Sequence, residues 1–280
     1  HMDGSHHDWL EGRAPEMVLM GYIDDATGNV HGRFYDYEGT IPAMDSFNRY
    51  VKRYGLPHSV YLDRHTTYKS TAKPTIEDDL LDRKPMSQFE RALNELGVKV
   101  MHAMSPQAKG RVERLFKTLQ DRLVKEMRLK GVKTLKEANR FLEGYLPKYN
   151  KRFSVKAAME GNLHRPIPEG FDSDGVLCIK TERALRNDFT VAHDGRLYQV
   201  LDCVSAKKVM VEERTDGRML VKHNGKALRF KEIIGRPERP KRPITYKPRK
   251  KYVPPKDHPW RKFPLTSKPD ISILVKTGHF

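Results

Sequence analysis

Cysteine is nearly absent: Cys178 and Cys203 are the only two in 280 residues. Two thiols cannot build a disulfide framework or a four-cysteine zinc site, and they are expected to stay reduced in a cytoplasmic setting. No uninterrupted apolar run approaches the about 18 residues of a transmembrane helix. The N-terminus is charged and histidine-rich, without the apolar segment of a signal peptide. No glycine-rich nucleotide loop, Ser-His-Asp arrangement or Cys-His pair is visible, and His6, His7, His65 and His102 lack zinc-finger spacing. Negative charge is also short: 36 Asp and Glu stand against 53 Lys and Arg, a net charge of +17.

The positive excess is localised. Residues 1–104 carry 12 basic and 16 acidic side chains, whereas residues 105–170 carry 16 and 7 and residues 236–280 carry 13 and 3. A strongly basic chain without a membrane signal points to nucleic acid. Carboxylates repel phosphate, so an acidic segment in such a chain suggests divalent metal.

Met17–Asp24 is a nearly continuous apolar run, as in a buried central strand, and Val30–Tyr37 follows after the turn Asp25-Ala26-Thr27-Gly28-Asn29. Met44, Phe47, Val51 and Tyr54 fall at helical spacing. Ser59–Leu62 and Val98–His102 read as short strands, and residues 71–86 as an acidic inserted loop. Ser87-Gln88-Phe89-Glu90 and Thr134-Leu135-Lys136-Glu137 are capping boxes opening helices, and Ser105-Pro106 opens a long helix between them. This order predicts an α/β fold with a mixed sheet flanked by helices. After residue 165, five short strands separated by Asp194-Gly195, Asp216-Gly217 and Asn224-Gly225 predict a small all-β barrel. From Arg236 onward, nine of the 18 prolines accompany the basic residues, predicting an extended basic arm. The expected organisation is an α/β core at 1–155, a linker at 156–170, a barrel at 171–235 and a Pro-rich arm at 236–280.

Three acids stand out: Asp3 just before the apolar strand, Asp63 at the end of a short strand, and Glu113 in the first turns of the long helix. Hard carboxylate ligands on two strands and one helix suit a pair of Mg²⁺ ions, the arrangement that phosphodiester chemistry uses. Glu77, Asp78, Asp79 and Asp82 in the insert are rival ligands, while Asp24 and Asp25 read as turn residues.

The segment Ser105-Pro106-Gln107-Ala108-Lys109-Gly110-Arg111-Val112-Glu113-Arg114 closely resembles the one that carries the catalytic glutamate in DDE transposases and retroviral integrases. Asp3-Gly4-Ser5 resembles their first-aspartate strand, Tyr22–Gly28 the strand and turn that follow, and Leu62-Asp63 their second aspartate. The resemblance covers roughly residues 2–155 and is nearest to the ISNCY-type bacterial insertion-sequence transposases. It implies a ribonuclease-H-like core in which Asp3, Asp63 and Glu113 are catalytic and bind two Mg²⁺ ions, with Mn²⁺ as a substitute. It implies nicking at transposon ends, then attack of the freed 3′-hydroxyl on target DNA, by a homodimer or higher assembly in the bacterial cytoplasm. The gap of 50 residues between Asp63 and Glu113 exceeds that of the best-known integrases, and the acidic insert accounts for it. His1-Met2 reads as a cloning remnant, and a fragment of a longer protein is expected, with a helix-turn-helix module upstream.

His65, Lys109, Arg111, Arg114 and Lys117 are candidate DNA contacts around the acids, and Lys247, Arg249, Lys250 and Lys251, interleaved with tyrosines, are candidates in the arm. Two other readings remain open: a Mg²⁺-dependent nuclease that only hydrolyses, and a non-catalytic DNA-binding protein derived from a transposase.

Overall fold

The computed structural model describes residues 1–63, 65–74, 80, 84–103, 110–235 and 252–261. Strands β1 (Met2–His7), β2 (Met17–Ile23) and β3 (Val30–Tyr35) form an antiparallel meander. β2 is buried on both faces, which explains its unbroken apolar run. Val18, Met20 and Tyr22 pack with helix α1 (Thr40–Tyr54) and helix α2 (Gln88–Glu95), while Met17 and Leu19 pack with helices α3 (Gly110–Leu129) and α4 (Leu135–Phe153). The result is a mixed α/β layer with helices on both faces.

Strands β4 (Ser59–Leu62) and β5 (Lys99–His102) pair in parallel, from Ser59 opposite Lys99 to Leu62 opposite His102. β4 lies beside β1, but the two ladders are separate hydrogen-bonded sheets among the described residues. α1 stops where Gly55 takes φ +90°, a conformation that side-chain-bearing residues rarely adopt. The capping box at Ser87 is complete: Ser87 accepts from Glu90 N, and Glu90 accepts from Ser87 N. The one at Thr134 is only half made. Thr134 accepts from Glu137 N, but the Glu137 carboxylate reaches Lys133 N instead.

β3 is the outer strand of the meander, yet its free edge is covered. Asn139 of α4 accepts from Phe34 N at 2.9 Å and donates to Phe34 O at 3.0 Å. Asn150 does the same with Val30 N and Val30 O, at 2.8 Å each. Two amide side chains thus stand in for a missing strand.

After a one-turn helix α5 (Ser173–Val176) the chain becomes all-β. Strands β6 (Cys178–Ala184), β9 (Lys208–Arg214), β10 (Met219–His223) and β11 (Lys226–Leu228) form a four-stranded antiparallel sheet. Strands β7 (Thr190–His193), β8 (Arg196–Val200) and β12 (Phe230–Ile233) form a three-stranded one. The sheets enclose Val191, Val200, Val209, Val211 and Val221. Asp194-Gly195 and Asn224-Gly225 carry positive φ at both residues, as two-residue hairpin turns require. This module docks on α2. Gln88 donates to Lys180 O at 2.9 Å and accepts from Lys180 N at 3.0 Å, and Arg91 donates to the carbonyls of Val176 and Cys178.

The segment between α4 and α5 is pinned by reciprocal backbone hydrogen bonds of 2.8 Å between Leu56 and Arg165. By its contacts the chain divides into His1–Arg236 and Pro237–Phe280. In the second unit, Pro259–Arg261 form a 3-10 turn, and the Tyr252 ring meets His258 edge-on at 6.4 Å.

Candidate active site

The arrangement starts from β1. Asp3 lies directly opposite Gly21 of β2, so the two project to the same face of the sheet, the face that α3 covers. A Cβ on Gly21 would stand 2.6 Å from Phe116 Cε1, so glycine is what allows α3 to approach this closely. One turn further along, Gln120 donates to Ser5 Oγ at 3.1 Å. Glu113 lies three residues before Phe116 and seven before Gln120, on the same helical stripe. It is exposed and makes no ion pair among the described residues.

Asp63 follows β4. Its Oδ1 accepts from His65 N at 2.9 Å, and its own carbonyl lies 3.1 Å from His102 Nδ1. The other His102 nitrogen is 2.9 Å from Glu90 Oε1, and the second oxygen of Glu90 caps α2. A relay of side chains therefore runs from the start of α2 to the backbone of Asp63.

The strands that carry Asp3 and lead to Asp63, β1 and β4, lie side by side, and Tyr68 is fully buried. Burial drives the Tyr68 pKa well above the usual phenol value, and the charges of Glu38, Tyr22, Asp3 and Asp63 push it further. The phenol keeps its proton and faces Glu38 Oε1 at 3.5 Å. Glu38 also meets His6 Nε2 at 2.8 Å, and a Cβ on Gly4, the residue after Asp3, would stand 2.8 Å from its carboxyl carbon. Glu38 is thus a mostly buried carboxylate pressed against the strand that carries Asp3.

Sequence reasoning did not find Glu38, Tyr68 or the positioning role of His102. The sequence carries no local signal for contacts made over about 30 residues. The donor set at Asp3, Asp63 and Glu113 is all hard oxygen, which suits Mg²⁺ or Mn²⁺. Among the described residues, however, no three His, Cys, Asp or Glu side chains converge closely enough to hold a metal ion. Glu77, Asp78, Asp79 and Asp82 lie outside the described residues.

Of the candidate DNA contacts, Arg111 is already engaged: its Nε lies 3.1 Å from Asp25 Oδ1, and its Nη1 donates to Asp25 O at 2.6 Å. Arg114 and Lys117 are exposed on α3, and His65 is exposed with its Nδ1 3.2 Å from Thr67 Oγ1. Lys109, Lys247, Arg249, Lys250 and Lys251 lie outside the described residues. Asp24 accepts from Thr27 N at 2.9 Å, a turn role, and Trp9 is fully buried with its Nε1 donating to Ser5 O at 3.2 Å. Cys178 is buried and Cys203 exposed, and both are free thiols. No helix among the described residues is long and apolar enough to cross a membrane.

No protein-family model matches the chain. It is 33% identical over 237 residues to the protein named "Putative transposase y4bF" of Sinorhizobium fredii (strain NBRC 101917 / NGR234), covering 82% of this chain and 51% of the relative. It is 30% identical over 273 residues to the transposase for insertion sequence IS1202 of Streptococcus pneumoniae, covering 93% of this chain and 57% of the relative. Among solved structures, a simian T-cell lymphotropic virus intasome in complex with the PP2A regulatory subunit B56 gamma aligns at a TM-score of 0.41 and 17% identity, over 81% of this chain and 76% of that one. The catalytic core domain of BIV integrase aligns at 0.37 and 16%, over 54% and 95%. The chain spans about half the length of the curated relatives it matches, and by sequence it is similar to two bacterial proteins named as transposases.

Proposed function

We propose that the chain is the catalytic part of a DNA transposase that nicks transposon ends and joins the freed 3′-hydroxyl to target DNA. The observation that carries this reading is the placement of Asp3 on β1 and of Asp63 directly after β4, two strands that lie side by side, in a chain whose relatives are named transposases. In this reading β4 and β5 extend the meander into a ribonuclease-H-like sheet, residues 171–235 form a small barrel, and residues 236–280 are a basic arm along DNA.

Asp3, Asp63 and Glu113 would hold Mg²⁺, which supplies charge stabilisation to the reacting phosphodiester when bound. The protein's own part is positioning. The His65 amide and the His102 ring hold Asp63, and Glu38 packs against the backbone beside Asp3. Arg114 and Lys117 offer their charge to incoming phosphates from the helix that carries Glu113. Joining two ends to one target calls for a homodimer or larger assembly.

The test is a strand-transfer assay with pre-nicked end DNA and a supercoiled plasmid, in Mg²⁺ or Mn²⁺, run beside Asp63→Asn and Glu113→Gln. Joined product that both substitutions abolish, with DNA binding retained, is the expected result. Hydrolysis without joining would move the assignment to a nuclease. Joining that survives Glu113→Gln would remove Glu113 from the site.

A further inference from the structure

Helix α4 carries a repeat that the acid cluster does not use. A basic or glycine residue precedes an aromatic one at every fourth position: Arg140-Phe141, Gly144-Tyr145, Lys148-Tyr149 and Arg152-Phe153. Four-residue spacing lays each set along one ridge of a helix, so an aromatic ridge and a cationic ridge run side by side. The rings form a ladder, with centroid separations of 5.9 Å from Phe141 to Tyr145, 6.1 Å from Tyr145 to Tyr149 and 4.7 Å from Tyr149 to Phe153. Arg122 of α3 and Arg152 each lie over the Phe153 ring at 5.3 Å.

Between α3 and α4 these side chains line a groove of about 580 Å³. Its far wall adds Lys125 and Lys130, and Glu126 is its only acid among the described residues. Arg122, Lys130, Arg140, Lys148 and Arg152 form no ion pair among the described residues. A purely structural ladder would not need this unpaired charge. The rings are half-buried: burial raises the pKa of Tyr145 and Tyr149, yet Phe153 remains 40% exposed. Gly144 interrupts the cationic ridge, and a Cβ there would meet nothing within 4 Å, which leaves the groove open at its centre.

We infer that this groove binds a DNA strand, its phosphates on the Arg140, Lys148 and Arg152 ridge and its bases or sugars against the rings. Charge decides the occupant. Six cations, of which Lys125 is paired with Asp121 and the other five form no ion pair among the described residues, fit a polyanion, whereas a second copy of this net-basic chain would bring like charge to the same place. From Arg140 to Arg152 the helix rises about 18 Å, the span of about five nucleotides at 3.4 Å each. A basic track beside aromatic faces is the combination that holds unpaired strands without reading sequence. This inference rests on the transposase reading only for the identity of the polyanion as DNA.

The test compares the whole chain with Arg140→Gln/Lys148→Gln/Arg152→Gln and, separately, with Tyr145→Leu/Tyr149→Leu, which keeps apolar packing but removes the aromatic faces. Fluorescence anisotropy is read from 50 to 300 mM salt with a 30-nucleotide single strand and with a duplex of the same length. The triple variant is expected to bind at least about tenfold more weakly and to lose about two to three from the slope of log K against log salt, at about 0.7–0.9 per phosphate contact. The leucine pair is expected to weaken the single strand more than the duplex; equal weakening of both would make the ligand a duplex strand bound by its backbone alone. An unchanged slope in the triple variant, with the wild type binding normally, overturns the groove and leaves the transposase reading standing. A triple variant that binds DNA normally but changes oligomeric state would assign the groove to a protein contact instead. A wild type that binds neither DNA overturns both readings.

Discussion

Nδ1 of His102 lies 3.1 Å from the backbone carbonyl of Asp63, a ring on one strand meeting the main chain that leaves its parallel neighbour. His102 ends β5, the parallel neighbour of β4, and Glu90 fixes its other nitrogen. Replacing the ring with an apolar group of similar size frees the Asp63 peptide without touching its carboxylate. We expect His102→Leu to cut strand-transfer rates by about ten- to a hundredfold, because misplacement of about 1 Å costs this much at a reacting centre. Affinity for DNA should stay within about twofold, and His102→Gln, which keeps one donor, should recover part of the rate. Equal losses of binding and joining would reduce His102 to a folding role.

The amides of Asn139 and Asn150 act on the other edge of the sheet. Each satisfies one donor and one acceptor of β3, so Asn150→Ala leaves Val30 N and Val30 O unpaired. The expected cost is about 1–3 kcal/mol in urea unfolding. Asn139→Ala should behave alike, and the two losses should add, since the sites share no partner. Asn150→Asp tests the donor alone, because a carboxylate can still accept from Val30 N but offers nothing to Val30 O. A loss below about 0.3 kcal/mol for the double alanine variant would show that water replaces the amides.

Acid should destabilise the fold through His31. Burial is the largest cause that pushes its pKa down, to about 4, and Arg53, Arg33 and Arg49 add to it. The ring sits against Tyr22, Tyr50 and Tyr54, and its Nε2 has no hydrogen-bond partner among the described residues. The unfolded chain binds a proton near pH 6.5 and the folded one only near 4, so this contribution is intact above 6.5 and is lost as pH falls towards 4. The loss is at most about 3.4 kcal/mol. His31→Phe should flatten the stability profile between pH 6.5 and 4.5, measured by urea titration at each pH. Parallel profiles for the two proteins would contradict the assignment.

Local chemistry was legible in the sequence where local chemistry decides the outcome. The apolar run of β2, the capping box at Ser87 and the turns at Asp194-Gly195 and Asn224-Gly225 all formed as their residues dictate. The five strands expected after residue 165 became seven among the described residues, because Thr190–His193 and Phe230–Ile233 are too short to show alternation and are set by pairing with β8. Asp3, Asp63 and Glu113 were singled out by context, whereas Glu38 and His102 were not. Their contacts with His6 and Asp63 span 32 and 39 residues, and such pairings leave no periodic trace. The amides of Asn139 and Asn150 are the extreme case, joining backbone 105 and 120 residues away.

One turn of α2 mounts two things at once. Gln88 grips the backbone of Lys180, Arg91 holds the carbonyls of Val176 and Cys178, and Glu90, between them, reaches His102 and through it Asp63. The β module and the carbonyl of Asp63 are therefore joined by hydrogen bonds through a single helical turn and one imidazole.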